Sequence, residues 1–253
     1  MTSLRISDLT IRAKQSMLVD SASTQLNAGE LVVLLGPNGA GKTSLIRGAL
    51  GLIKSATGTA ELDGRAVLSM SPTERAQKIS YLPQIRPLAW PNRVRDVVAL
   101  GRFSHGATLG RLSDEDLSAV DRAISACDLT HLQDRSADTL SGGELARMHC
   151  ARAFAANAPL LIADEPIAAL DPRHQFRILD LIKRYVDQGG GALLVLHDIE
   201  LAARYASRLI WMKDGSIVAD GTVKDTLSAD RLAQVYGISA TVSDTRIVMD
   251  GAL

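Results

Sequence analysis

The stretch GPNGAGKTS, Gly36 to Ser44, follows the apolar run LVVLL and carries three glycines and one lysine. Gly36, Gly41, Lys42 and Thr43 satisfy the spacing G-x-x-x-x-G-K-[ST]. Glycines at these places let backbone N–H groups turn inward around phosphate oxygens. A helix starting near Lys42 adds the positive end of its dipole. The Lys42 ammonium reaches the β- and γ-phosphates, and the Thr43 hydroxyl ligates Mg²⁺. The whole segment (Gly36, Pro37, Asn38, Gly39, Ala40, Gly41, Lys42, Thr43 and Ser44) reads as a cradle for a nucleoside triphosphate.

Two further stretches carry chemistry. In LLIADEP, Asp164 and Glu165 close an apolar run. The carboxyl end of a buried strand is where α/β sheets place ligands. Successive strand residues point to opposite sides, so the two acids have different tasks. Asp164 is assigned to the metal and Glu165 to the water that attacks the γ-phosphate. In LSGGELARMHCARAFA, Ser141 and Glu144 fit a capping box, and Leu145, Met148 and Phe154 predict an apolar helix face. Gly142 and Gly143 are poor residues for a first turn, at about 1 kcal/mol each against alanine. They make sense where backbone must approach a ligand, and small residues at a helix N-terminus suit phosphate. This second cradle lies about 100 residues beyond the first. One nucleotide in one cradle leaves the other unused, unless two chains close on it.

These residues must be held by a scaffold. LVVLL (Leu31 to Leu35), LLIA (Leu160 to Ala163) and ALLVL (Ala192 to Leu196) are continuous apolar runs, each followed by a helical pattern. Strands buried on both faces look like this, and the alternation predicts an α/β sheet. GTAELDGRAV predicts a hairpin turning at Asp63-Gly64, with Thr59 to Leu62 paired to Arg65 to Val67. The first 30 residues suit further antiparallel strands. From about Pro87 to Thr139 the pattern is mostly helical, with a Ser113 cap followed by acids. No internal repeat is present, and the tail after about Asp225 says little.

Composition narrows the function. Lys+Arg and Asp+Glu are both 28, so there is no basic excess of the kind that marks a nucleic-acid binder. Cys127 and Cys150 have no metal-ligand spacing and read as buried thiols in a reducing compartment. MTSLRISDLT lacks the apolar core of a signal peptide. No apolar run approaches the roughly 20 residues needed to cross a bilayer.

GPNGAGKTS, YLPQ, LSGGE, LLIADEP, AALD and LHD occur in an order and at spacings similar to the ATP-binding subunits of ABC transporters. The resemblance covers about residues 4 to 225, and LSGGE is that family's own signature. It implies a single P-loop NTPase domain over 1–253, an α/β ABC-type nucleotide-binding domain with an antiparallel β subdomain. A helical subdomain is inserted at about 87–155, and a C-terminal tail occupies about 226–253. The implied cofactors are ATP and Mg²⁺. Glu165, His197, Gln84 and Lys42 form the implied catalytic set, with His197 as the switch histidine beside the γ-phosphate. Thr43, Gln84 and Asp164 are the implied metal ligands, and Gln84 also senses the membrane partner. Ser141, Gly142, Gly143 and Glu144 form the signature that meets the γ-phosphate held by the opposite subunit. Asp171 looks like the aspartate at the dimer seam.

There are departures from the family pattern. The family usually places an aromatic about 25 residues before the phosphate loop, on which adenine stacks. Here Ala13 occupies that place, and no aromatic precedes Tyr81. Base stacking on an aromatic is worth roughly 1–3 kcal/mol, so weaker or less base-selective binding is expected. Arg12 is the stacking alternative. Ala168 replaces the serine common before ALD, which removes one hydrogen bond across the dimer.

The stretch from Tyr81 to Asp116 is similar to the ATPases of importers for iron chelates (siderophores), haem and cobalamin. That branch implies a homodimer of ATPase subunits at the cytoplasmic face of the inner membrane. It implies membrane permease subunits, an indirect periplasmic or surface substrate-binding protein, and no nucleic acid. Leu88, Ala89, Trp90 and Pro91 are the expected apolar docking stretch. The alternatives are a soluble ABC ATPase, such as one serving iron–sulfur assembly, and a P-loop fold that binds without hydrolysis. Intact Glu165 and His197 argue against the last.

Overall fold

A computed structural model describes residues 1–13, 16–53, 56–84, 92–108 and 110–252. The chain divides into one unit of Met1–Met70 with Gly191–Leu253 and a second of Ser71–Gly190, treated separately below. The expected docking stretch, Leu88 to Pro91, lies outside the described residues.

The first unit opens with β1 (Ser3–Ala13) and β2 (Ser16–Asn27), an antiparallel pair. Buried residues of β1 shift from Leu4 and Ile6 to Leu9 and Ile11. That change of phase is a bulge, with Asp8 at φ 50° and a register break between Ile6 and Leu9. Next come β3 (Leu31–Leu35), α1 (Lys42–Ala49), β4 (Ala56–Leu62) and β5 (Arg65–Ala66). The Asp63-Gly64 hairpin forms as expected, pairing Leu62 with Arg65, but Val67 leaves the strand to open a 3-10 turn. Strands β2-β1-β4-β5 make one antiparallel sheet.

The second unit holds α2 (Pro72–Lys78), β6 (Ile79–Leu82), α3 (Val94–Ala99), α4 (Asp114–Ala126), α5 (Gly142–Ala155), β7 (Leu160–Asp164) and α6 (Pro172–Asp187). β6 and β7 pair in parallel, from Ile79↔Leu160 to Leu82↔Ala163. Short β6 was not evident in the sequence. Its Ser80 is buried because its hydroxyl donates to the Ala153 carbonyl at 2.8 Å. α4 carries the expected Ser113 cap, completed by Asp116. Asp116 also pairs with buried Arg102, whose Nε lies 2.8 Å from Oδ1. α5 departs from the expected single apolar face. Leu145 and Phe154 are only partly buried, whereas Ala146, Arg147, Met148, His149, Cys150 and Ala151 are all buried. Small residues let neighbours pack around most of this helix. Cys127 and Cys150 are buried free thiols, and burial pushes the Cys127 thiol up.

The chain then completes the first unit with β8 (Gly191–Val195), α7 (Ile199–Tyr205), β9 (Arg208–Lys213), β10 (Ser216–Thr222), α8 (Val223–Thr226), α9 (Ala229–Tyr236), β11 (Ile238–Ser243) and β12 (Arg246–Ala252). β3 lies between β8 and β9 and runs parallel to both. β10 pairs antiparallel to β9. All five residues of β3 are buried, which is why it reads as a continuous apolar run. β11 and β12 form a separate hairpin, so the tail is structured rather than featureless. No helix among the described residues is long and apolar enough to cross a membrane.

Candidate functional site

The phosphate loop leaves β3 at its carboxyl end. Gly36 has φ 153° and Gly41 φ 99°. A Cβ at Gly36 would lie 2.2 Å from the Met212 carbonyl oxygen, and one at Gly41 2.3 Å from the Leu18 carbonyl oxygen. Both neighbours are backbone, so neither position accepts a side chain without the loop moving. Gly41 is the N-cap of α1 and offers no side-chain acceptor to the first turn, and a helix N-terminus of this kind suits an anion. Lys42 is buried to 7% exposure, and its Nζ donates to the Gly36 and Pro37 carbonyls at 2.6 and 2.9 Å. These bonds fold the lysine back over its own loop. Thr43 and Ser44 follow in the first turn, partly buried, while Asn38 and Gly39 are exposed.

β8 delivers His197 beside this loop. Val195 of β8 pairs with Leu34 of β3. Gly36 and His197 each follow two residues beyond that pair, so both leave the same end of neighbouring parallel strands. His197 is exposed, and Asp198 after it caps α7 by accepting the Leu201 N–H at 2.8 Å.

A residue that sequence reasoning missed also supports the loop. The Gly36 N–H donates to Tyr236 Oη, 200 positions away in α9, at 2.9 Å. The Tyr236 ring meets the Trp211 ring edge-on at 6.4 Å. Burial pushes the Tyr236 phenol up to about 12, with the Gly36 N–H opposing the shift. No local motif marks Tyr236, because its partner is a backbone amide far along the chain.

The second unit repeats the strand-end logic. Leu82 of β6 pairs with Ala163 of β7, so Gln84 and Glu165 lie at the same end of two parallel strands. Asp164 is fully buried, Glu165 half-buried and Gln84 exposed. Glu165 has φ 52°, a left-handed conformation that a long side chain rarely adopts. Such strain collects at functional positions.

α5 starts with the expected capping box. Ser141 Oγ accepts the Glu144 N–H at 3.3 Å, and Glu144 Oε2 accepts the Ser141 N–H at 2.8 Å. The Ser141 backbone N–H holds the Glu144 carboxyl below its usual range. Beyond its chain neighbours and the backbone of its own helix, no atom of the described residues comes within 4 Å of a Cβ built on Gly142, and Ser141 and Gly142 are exposed. Glycine here is not demanded by the chain's own packing. Asp171, exposed, is the N-cap of α6 and accepts the His174 N–H at 3.0 Å. Ala168 is exposed, as are Arg12 and Ala13 near the end of β1.

Comparison with known proteins follows from this arrangement. Residues 19–168 match the family model described as ABC transporter. A hemin import ATP-binding protein of Pseudomonas fluorescens strain Pf0-1 is 38% identical over 244 residues, covering 94% of each chain. A protein of the same name from Nocardia farcinica is 40% identical over 227 residues, covering 90% of this chain and 78% of that one. Among solved structures, an ATP-binding subunit of an ABC transporter superposes with a TM-score of 0.80 at 24% identity, covering 93% of this chain and 95% of that one. A chain of an inward-facing transporter described as metal-chelate type gives 0.80 at 23% identity, with 98% and 96% covered. The structural likeness shows the fold. The family match over more than half of the chain and the near full-length relatives show that the chain belongs to the ABC transporter family, as one of its ATP-binding subunits.

Proposed function

We propose that this chain is the ATP-hydrolysing subunit of a haem importer, acting as a head-to-tail pair of identical chains on the cytoplasmic face of a membrane permease. The observation that carries the reading is its likeness to hemin import ATP-binding proteins across nearly the whole length of both. A substrate-binding protein outside the membrane would feed the same permease.

Lys42 exchanges its two loop carbonyls for phosphate oxygens, and the α1 amides take the remaining charge. Glu165, in its left-handed backbone conformation at the end of β7, polarises the attacking water. His197 contacts the γ-phosphate. The exposed Ser141-Gly142-Gly143 turn, with Glu144 completing its cap, receives the γ-phosphate carried by the partner chain, and Asp171 lines the seam. Among the described residues, no group of three or more His, Cys, Asp or Glu forms a metal cage. Mg²⁺ fits such a chain, because it keeps several waters and takes few protein ligands beside the phosphates. Thr43, Asp164 and Gln84 supply oxygen donors of the required hardness. When bound, the ion neutralises phosphate charge.

The test is to purify the chain from detergent-solubilised membranes and identify its companions. A polytopic permease whose complex hydrolyses ATP faster when haem-loaded binding protein is added supports the proposal. Recovery only from the soluble fraction with a soluble partner would overturn it.

A further inference from the structure

Both carboxylate oxygens of Asp171 engage one residue. Oδ1 accepts the His174 backbone N–H at 3.0 Å, and Oδ2 lies 2.8 Å from His174 Nδ1. The other ring nitrogen, Nε2, meets Nη1 of Arg147 on α5. Arg147 is 7% exposed. Its guanidinium stays charged, and its N–H groups only donate. A donor facing Nε2 requires a lone pair there. A neutral imidazole has one N–H and one lone pair, so the proton must sit on Nδ1, aimed at the Asp171 carboxylate. The reverse tautomer fails at both ends, setting N–H against N–H at Arg147 and a lone pair against a carboxylate at Asp171.

The other charged groups here do not relieve that geometry. Asp128 Oδ2 is 3.9 Å from Nε2, and the same carboxylate is paired with Arg177 of α6. Two carboxylates and the Arg147 guanidinium thus lie around the ring. An imidazolium would set an N–H against Arg147 and lose the acceptor there.

The elements joined in this way are the ones given separate tasks above. α5 begins at the Ser141-Gly142-Gly143 turn. The loop ahead of Asp171 runs against it, since a Cβ on Gly143 would sit 3.6 Å from Ala169 O and 3.9 Å from Leu170 Cδ2. The Arg147 link ties the far side of the same loop to the second turn of α5. We infer that His174, held as the neutral Nδ1–H tautomer, is a positioning residue that locks the Asp171 loop to α5. The seam aspartate and the second phosphate cradle then move as one piece. The consequence for turnover rests on the ATPase reading above, whereas the tautomer does not.

The experiment has two arms. In the full chain with ¹⁵N-labelled histidine, long-range ¹H–¹⁵N correlation at pH 8, assigned with H174Q, reads the ring directly. The expected result is a protonated Nδ1 and a bare Nε2. An Nε2–H tautomer or an imidazolium would overturn the inference, whatever the ATPase does. In the second arm, H174A should lower kcat about tenfold with KM for ATP within twofold, the size of one lost hydrogen bond to a charged group. H174Q places an amide oxygen toward Arg147 and should recover most of that loss at an unchanged thermal midpoint. Full activity in H174A, or equal losses in H174A and H174Q, would overturn the positioning role. An Nδ1–H ring in a chain without ATPase activity would contradict the ATPase reading instead.

Discussion

Replacing Tyr236 with Phe removes a single oxygen, and with it the acceptor of the Gly36 N–H at 2.9 Å. Gly36 is buried, so its amide has no water to turn to. Leaving such a donor unsatisfied costs about 1–3 kcal/mol. The ring remains, and so does its edge-on contact with Trp211 at 6.4 Å. The loss is therefore confined to the hydrogen bond, and Y236F should be less stable by about 1–2 kcal/mol at pH 8. The phenol adds a pH signature. Its folded value is pushed up to about 12 from 10.0, chiefly by burial. A raised value means that the neutral phenol contributes stability fully below pH 10, and that the contribution fades as pH rises toward the folded value. The wild-type chain carries this alkaline loss and Y236F does not. The gap between them should narrow by about 1–2 kcal/mol between pH 8 and pH 11.5. Urea unfolding followed by far-UV circular dichroism measures both quantities. A gap below about 0.5 kcal/mol at pH 8, the noise of an ordinary surface change, would refute the bond. A gap that stays constant to pH 11.5 would refute the burial argument.

Other variants separate fold from chemistry. E165Q should lower ATP turnover at least about 100-fold, the lower bound for losing a general base, while ATP still binds; unchanged turnover would reassign the base. G36A meets the Met212 carbonyl at 2.2 Å, and should cost about 3 kcal/mol or more together with nucleotide binding; a normal melting midpoint would show that the loop has slack. G142A meets nothing within 4 Å, so its melting midpoint should hold while turnover falls at least about tenfold from a crowded phosphate contact; unchanged turnover would remove Gly142 from the second cradle. Asp116 is held below its usual 3.8 first by the Arg102 guanidinium and then by the Ser113 hydroxyl. Its stabilisation is present above that value and is lost as pH falls through the lower folded one. D116N leaves Arg102 buried with its main partner gone and should cost about 3 kcal/mol at pH 7. Urea midpoints should show this deficit closing as pH falls through the lowered folded value of Asp116, and a deficit independent of pH would mean that the charge pair is not its source.

Much of the fold was legible because physics writes it locally. LVVLL and LLIA are strands covered on both faces, and no other element this short needs unbroken apolar residues. Ser113 and Ser141 announce their helices because capping needs a side-chain acceptor three residues before its donor. ALLVL was displaced by one position, since β8 runs Gly191–Val195 and Leu196, though buried, lies past its end. Four-residue β6 was not legible because it carries a polar Ser80, whose hydroxyl donates to a carbonyl 73 residues away. Asp214-Gly215 was an available hairpin signal between RLIWMK and SIVAD, where β9 and β10 pair. The site's outer supports were not legible. Tyr236 reaches Gly36 across 200 residues and His174 reaches Arg147 across 27, and neither pairing leaves a spacing to recognise. The left-handed backbone of Glu165 has no sequence mark, because glycine or asparagine is the usual signal for that conformation.

The most direct test of the whole account is haem accumulation by right-side-out membrane vesicles loaded with ATP, which carry this chain with its co-purified permease and receive haem-loaded binding protein from outside. The account predicts haem accumulation that requires ATP and Mg²⁺, is lost in E165Q, and tracks ATP turnover across the variants above. Steady ATP hydrolysis with no haem moved, in vesicles where the permease is present and folded, would contradict it.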